Sequence, residues 1–295
     1  MTGGGGVLVT GAGGFIGSAV VRRAGERGIA CTPVAHRWSA PAELSGWVDA
    51  ARPTACIHLG WHADPSDYLT AVPENLRSLT DSLDLLAALG AVGCGHLVAA
   101  GSSAEYARPG DATPLRVTDR VAPTSPYGAA KAALRMFLGS TARPDGLAFC
   151  WARIFNVTGA GERPDRLLPR VACAVLDGAP IELSDGGQLR DFLDVDDVAD
   201  ALLDLSAARA DGDVNVCSGD GVPLRSLLEE LAGALGSTDL LRFGALAATP
   251  SERADVVGDA GPLRRCTAWV PRHPRSEMIT RVAEHWRQRH QEAKA

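Results

Sequence analysis

The chain has 295 residues, 46% hydrophobic and 22% charged, enough to fill the core of one large domain, or of a domain with an accessory lobe, under a soluble surface. Its formal net charge of −6 argues against a nucleic-acid partner, because phosphate contacts need a basic surface. No apolar run approaches the ~18 residues of a membrane span, so no membrane partner is expected. The N-terminal MTGGGGVLVTGAGG lacks the basic flank and long apolar run of a signal peptide. Seven cysteines without a C-x-x-C pair read as reduced, buried thiols of a cytoplasmic protein, and no metal site is assigned.

Taken in chain order, residues 7–10 read as a strand, followed by a glycine-rich turn and a helix to about Glu26. Residues 30–36 read as a second strand, 41–51 as a helix with proline at its start, and 55–60 as a third strand. Residues 73–89 carry Leu76, Leu79, Leu83 and Leu86 at helical spacing. Residues 96–100 form a strand, 125–140 a helix and 147–155 a strand. This alternation predicts an α/β fold, a Rossmann-type doubly wound parallel sheet covered on both faces. After Asn156 the pattern loosens into short elements between loops rich in Gly, Pro and charge. The expected organisation is a dinucleotide-binding domain over 1–155 and a smaller C-terminal α/β substrate lobe over 156–295, partly interleaved with the first.

The segment TGAGGFIG places Gly11, Gly14 and Gly17 between the first strand and its helix. Gly11 permits the tight turn, Gly14 lets a pyrophosphate approach the backbone, and Gly17 lets helix and strand pack closely. The amides of the helix start, including Phe15 and Ile16, then face phosphates. An NAD site usually carries Asp or Glu about 20 residues on, at the end of the second strand. Here that stretch reads Val-Ala-His-Arg-Trp, with Arg37 20 residues after Gly17. A guanidinium binds a ribose 2′-phosphate that a carboxylate would repel. NADP(H) is therefore the expected cofactor, with NAD(H) the alternative, Arg37 the phosphate contact and His36 a second contact.

Of the 29 basic residues only Lys131 and Lys294 are lysines. Lys131 stands four residues after Tyr127 in YGAAK, on one face of a predicted helix. An ammonium beside a phenol favours the phenolate, so a tyrosine held this way is expected to titrate lower than usual and to exchange a proton while hydride moves. Ser102 and Ser103 end the strand at 96–100, at the carboxyl edge where open α/β sheets bind ligands.

With these motifs the chain resembles the extended short-chain dehydrogenase/reductase family of sugar-nucleotide epimerases, dehydratases and ketoreductases, over nearly its whole length. TGAGGFIG is similar to the family's cofactor turn and YGAAK to its Tyr-x-x-x-Lys. Ser102 matches the active-site Ser/Thr four residues before Tyr106, with Ser103 its substitute. The resemblance implies Ser102, Tyr127 and Lys131 as catalytic residues, with Tyr127 and Lys131 also at the cofactor. HLGW at 58–61 resembles the strand beside the nicotinamide, which adds Leu59 and Gly60, and Asn75 fits the asparagine of the next helix. RIFNVTG and LRDFLDVDDVADAL imply Asn156 and Arg190 at a substrate diphosphate, with Arg253 a second cation and Ser103 and Tyr106 near the sugar.

Two departures follow. Only 16 residues separate Arg37 from Thr54, where larger members fit an extra strand and helix. The acidic pair that follows the active-site Ser/Thr in dehydratases is replaced by Ser103 and Ala104, which argues against dehydration. The resemblance then implies an NADPH-dependent ketoreductase acting on a nucleotide-linked deoxysugar, closest in type to dTDP-4-keto-6-deoxyhexose 4-ketoreductases. The alternatives are an NAD(P)-dependent 4-epimerase and a non-catalytic NADP-binding regulatory module. A homodimer through the helices near 73–89 and 125–140 is expected by resemblance.

Overall fold

In the computed structural model, which describes residues 5–107, 113–142, 146–248 and 254–294, the alternating first half forms β1 (Val7–Thr10), α1 (Phe15–Glu26), β2 (Cys31–Val34), α2 (Pro41–Ala51), β3 (Ala55–His58), α3 (Val72–Ala91), β4 (His96–Ser102), a 3-10 turn (Ser103–Glu105), α4 (Pro126–Thr141) and β5 (Ala148–Ile154). The second half adds β6 (Asn156–Thr158), α5 (Leu167–Leu176), β7 (Ile181–Leu183), β8 (Leu189–Asp194), α6 (Val195–Ala207), β9 (Gly212–Val216), β10 (Gly221–Pro223), α7 (Leu224–Leu235), β11 (Leu241–Phe243), α8 (Gly261–Thr267) and α9 (Arg275–Lys294).

Six strands build one sheet in the order β2-β1-β3-β4-β5-β9, parallel throughout. Successive residues face opposite sides of a strand, so each central strand must be apolar on both. Leu8, Cys56, Leu97 and Phe149 face a core with Leu44, Leu85 and Leu134 from α2, α3 and α4. Their neighbours Val9, Ile57, Val98 and Cys150 face the opposite core, with Val20 from α1 and Val198 and Leu202 from α6. The helix α4 is seated by fully buried Leu134 and Leu138, each worth about 2–3 kcal/mol of apolar burial.

The second strand is shorter than the 30–36 expected, because its one neighbour, β1, pairs with it only from Val7↔Cys31 to Thr10↔Val34 before the glycine turn begins. Pro33 is tolerated at this edge, where one row of backbone groups needs no partner. With a single helix between β2 and β3, the sheet stops here, which is how the chain accommodates its short 37–54 segment. The fourth strand runs to Ser102, so this serine lies on the strand itself.

One strand of the main sheet and one of its covering helices come from beyond residue 156. β9 pairs along β5, and α6 lies along α1 through a row of ion pairs: Arg22 to Asp196, Arg23 to Asp200 at 2.7 Å and Arg27 to Asp204 at 2.6 Å. Trp269 is buried in the same core. The remaining elements form two small sheets, β10-β8-β6 and β11-β7, and a separate core of Leu168, Leu227, Leu231, Val282 and Trp286 from α5, α7 and α9. No helix among the described residues is long and apolar enough to cross a membrane.

Candidate active site

The glycine turn connects β1 to α1. Gly11 has φ +69° and its backbone abuts residues 59–60, where a Cβ would come within 2.8 Å of Gly60 N. Leu59 N donates to Thr10 O at 3.2 Å and Gly60 N to Thr10 Oγ1 at 3.4 Å. Leu59 and Gly60 thus follow β3 rather than belonging to it, and lie against the turn. Gly17 is buried with no room for a side chain, since a Cβ would overlap Gly11 O. No side chain caps the N-terminus of α1, and Gly13 and Gly14 are exposed. Phe15 and Ile16 therefore begin a helix whose first amides are open to an anion. A cradle so tight that a methyl group would fill it fits a dinucleotide pyrophosphate.

Beyond β2, His36 and Arg37 are exposed. The Arg37 guanidinium is engaged by Asp81 of α3. A 2′-phosphate at this edge would have to compete with that carboxylate.

Ser102, Tyr127 and Lys131 converge at the carboxyl end of β4. Ser125 caps α4 by accepting from Gly128 N at 3.1 Å, and Pro126 suits the first turn. A Cβ on Gly128 would overlap Ala104 O, so the glycine after Tyr127 lets α4 sit against the 3-10 turn, with Ser102 near enough to the phenol to favour its ionised form. Lys131 Nζ is buried, donates to Ala100 O at 2.7 Å and lies 3.9 Å above the Trp61 ring. Its distance to the Tyr127 ring is 5.9 Å.

One expectation is corrected here. Burial pushes the Tyr127 phenol upward, not downward, because loss of solvation outweighs the help from Ser102. Burial also lowers Lys131 to about 7. The protein without ligands therefore holds a protonated phenol beside an ammonium that titrates near neutrality. Between about pH 7 and the ordinary lysine range near 10.4, the unfolded chain binds a proton that the folded chain does not, so stability rises with pH across that window. Lys131→Met should flatten this slope, read as the difference between denaturation midpoints at pH 7 and pH 9.

Four neighbours of these groups carry no assignment from sequence. Trp61 donates to Asn75 Oδ1 at 2.8 Å and supplies the ring under Lys131. Tyr68 packs edge-on against Tyr127 with ring centroids 5.1 Å apart. Glu105 is fully buried and accepts from Ser102 N at 2.7 Å and from Arg153 Nε at 2.8 Å, while Arg153 reaches Asp213 at 2.9 Å. Of all these residues, Asn75, the tryptophan of HLGW and the arginine that opens RIFNVTG fall in stretches the sequence marks.

The expected substrate residues fall into three groups. Ser103 is half-buried beside Ser102. Tyr106 is 1% exposed, donates to Asn215 Oδ1 at 2.7 Å and packs with Leu115, Phe155 and Val256. The phenol sits in this core, where burial raises it to about 12. Asn156 donates to Asp191 O at 3.0 Å, and Arg190 donates to Leu189 O at 2.9 Å and to Ala254 O at 2.6 Å. Both lie on the β10-β8-β6 sheet, half-buried. Arg253 lies outside the described residues. The loop after β6 joins this sheet to the site above: Arg163 pairs with Asp64 at 3.1 Å, and Arg166 stacks 5.5 Å from the Tyr68 ring centroid.

Comparison with known proteins accords with this geometry. The GDP-6-deoxy-D-mannose reductase of Pseudomonas aeruginosa is 29% identical over 306 residues, covering 96% of this chain and 97% of the relative. The UDP-glucose 4-epimerase of Azospirillum brasilense is 28% identical over 320 residues, covering 95% and 91%. Among solved structures, RMD from Pseudomonas aeruginosa complexed with NADPH superposes with a TM-score of 0.86 at 26% identity, over 96% of this chain and 99% of that one. The UDP-glucose 4-epimerase of Thermus thermophilus in complex with NAD gives 0.82 at 26% identity, over 95% and 98%. The model of the NAD dependent epimerase/dehydratase family matches residues 7–217, and the chain belongs to that family.

Proposed function

We propose that the protein catalyses NADPH-dependent reduction of a keto group on a nucleotide-linked deoxysugar. The observation that carries this reading is the convergence of Ser102 at the end of β4 with Tyr127 and Lys131 of α4, whose ammonium is tied to Ala100 O at 2.7 Å. The nicotinamide, when bound, supplies the hydride. Ser102 hydrogen-bonds the carbonyl oxygen, Tyr127 delivers the proton to that oxygen as it becomes a hydroxyl, and Lys131 holds the nicotinamide ribose and restores positive charge near the phenol. Asn156, Arg190 and Arg253 serve the diphosphate; for Arg190 this requires giving up a carbonyl partner. The 1–155 half binds the dinucleotide, and the 156–295 lobe, partly interleaved with it, closes over the sugar nucleotide.

The NADPH-bound relative and the reductase among the curated relatives support this reading. A second reading, 4-epimerisation, is favoured by the epimerase relatives. Falling absorbance at the NADPH band with GDP- or dTDP-4-keto-6-deoxyhexose supports reduction. Interconversion of UDP-glucose and UDP-galactose without net cofactor loss would replace it with epimerisation. For the cofactor edge, Arg37→Ala should raise KM for NADPH about tenfold, the equivalent of one charge-assisted hydrogen bond of ~1.4 kcal/mol, and leave KM for NADH unchanged. Equal changes for both would remove Arg37 from the phosphate site. Exposed Leu76 on α3, with Met136 and Phe137 on α4, supports a homodimer through these helices, and the seven free cysteines suit a cytoplasmic setting.

A further inference from the structure

We propose that Glu105 is a positioning residue for the proton-transfer group, a buried anion that fixes the Ser102 backbone and sets the electrostatic field at Tyr127 and Lys131. The proposal rests on reading those three residues as the reacting groups.

The geometry is that of a built site. Glu105 ends the 3-10 turn that follows Ser102, and the two residues cap each other. Ala104 N donates to Ser102 Oγ at 3.1 Å, and Ser102 N donates to Glu105 Oε1 at 2.7 Å. The rest of the carboxylate is held from β5. Trp151 Nε1 donates to Oε1 at 3.1 Å and to Oε2 at 3.0 Å, and Arg153 Nε to Oε2 at 2.8 Å. Arg153 is itself buried and tied to Asp213 of β9, which accepts from Arg135 of α4 at 2.6 Å. At Gly101 a Cβ would lie 2.7 Å from Glu105 Oε1 and overlap Trp151 Nε1, so the strand leading to Ser102 is shaped around this carboxylate.

A buried ion pair of this kind gains little stability over an apolar pair of similar size. Its value lies in what it faces. The groups around the Tyr127 phenol are Ser102, Tyr68, Glu105 and Arg166. The Lys131 ammonium faces Glu105, with His58 of β3 nearby. Around Glu105 itself stand Arg153 and the Tyr106 phenol. Among these, the Glu105 charge favours the protonated form of both Tyr127 and Lys131. This opposes the burial that would strip the ammonium and keeps the phenol a donor. Unlike a dehydratase carboxylate, Glu105 reaches the reaction only through its neighbours.

The lysine content of the chain supplies a direct test. Lys131 and Lys294 are the only two lysines, so protein carrying ε-13C-lysine gives two side-chain signals whose titration can be followed without any substrate. In the full-length wild type, the Lys131 midpoint is expected well below the ordinary lysine range near 10.4. In Glu105→Gln, which keeps the shape and loses the charge, the Lys131 midpoint should fall further, by about one pH unit, with Lys294 unmoved. An unmoved Lys131 midpoint in a folded Glu105→Gln protein overturns the proposal. Should that variant fail to fold, Glu105→Asp keeps the charge and shortens its reach to Ser102. It should hold the Lys131 midpoint within about 0.3 unit and lower kcat about tenfold with KM for NADPH unchanged; wild-type kcat in that variant overturns the proposal. If no keto sugar is reduced by the wild type, the reductase reading falls while the lysine titration still decides the role of Glu105.

Discussion

Replacing Tyr127 with phenylalanine should lower kcat for NADPH-dependent keto-sugar reduction about 10³-fold, the usual worth of a positioned general acid, while the Kd for NADPH changes by less than about threefold. The asymmetry follows from the structure. The ring is what packs against Tyr68 and lies near Trp61, and phenylalanine keeps it. Only the hydroxyl is lost, and with it the proton that burial keeps on the oxygen. Steady-state kinetics paired with fluorescence quenching by NADPH separates the two effects. A variant that kept a tenth of wild-type kcat would transfer the proton role to another group, and the reaction assigned here would have to be redrawn.

The second large effect is expected at Gly17. An alanine methyl would overlap Gly11 O and lie 2.7 Å from Gly11 C and 2.9 Å from Ala12 Cα. All of these are backbone atoms of the turn and cannot swing aside as a flexible side chain would. Overpacking of this kind costs about 1–3 kcal/mol, and relief requires α1 to retreat from β1. Gly17→Ala should therefore weaken NADPH binding by more than about tenfold and lower the thermal midpoint by several degrees. Gly25→Ala, in the same helix with open space around its position, should bind NADPH normally and match or exceed wild-type stability. Equal behaviour of the two variants would show that the turn tolerates displacement and that the cradle is looser than its contacts imply.

The main sheet is largely legible in the sequence because each of its buried strands is a short apolar run bounded by turn residues, and a fully buried parallel strand leaves that trace. Its edge is less so: nothing within residues 30–36 marks where the strand stops, and it ends at Val34 because its partner β1 ends at Thr10. The pair Tyr127 and Lys131 stands out because lysine is rare in this chain. Glu105 does not, since its meaning depends on Arg153, 48 positions away, and no local pattern announces such a pairing. The spacing of Tyr106 from Ser102 points to the substrate, yet spacing says nothing of direction, and the side chain turns inward. The protonation of Tyr127 is hidden for a related reason. Sequence reveals which charge stands four residues away, but not how much water is removed from around both groups.

The ion pairs between α1 and α6, the pairing of β9 along β5 and the burial of Trp269 bear on how the polypeptide matures as it is made. The opening stretch carries the nucleotide cradle, yet one flank of its sheet and the open edge of β5 stay bare until residues 195–216 have been made. A ribosome stalled midway would present a sticky, unfinished half rather than an independent module. Trp269, buried in the core with α1 and α6, is the last of these contacts to be made.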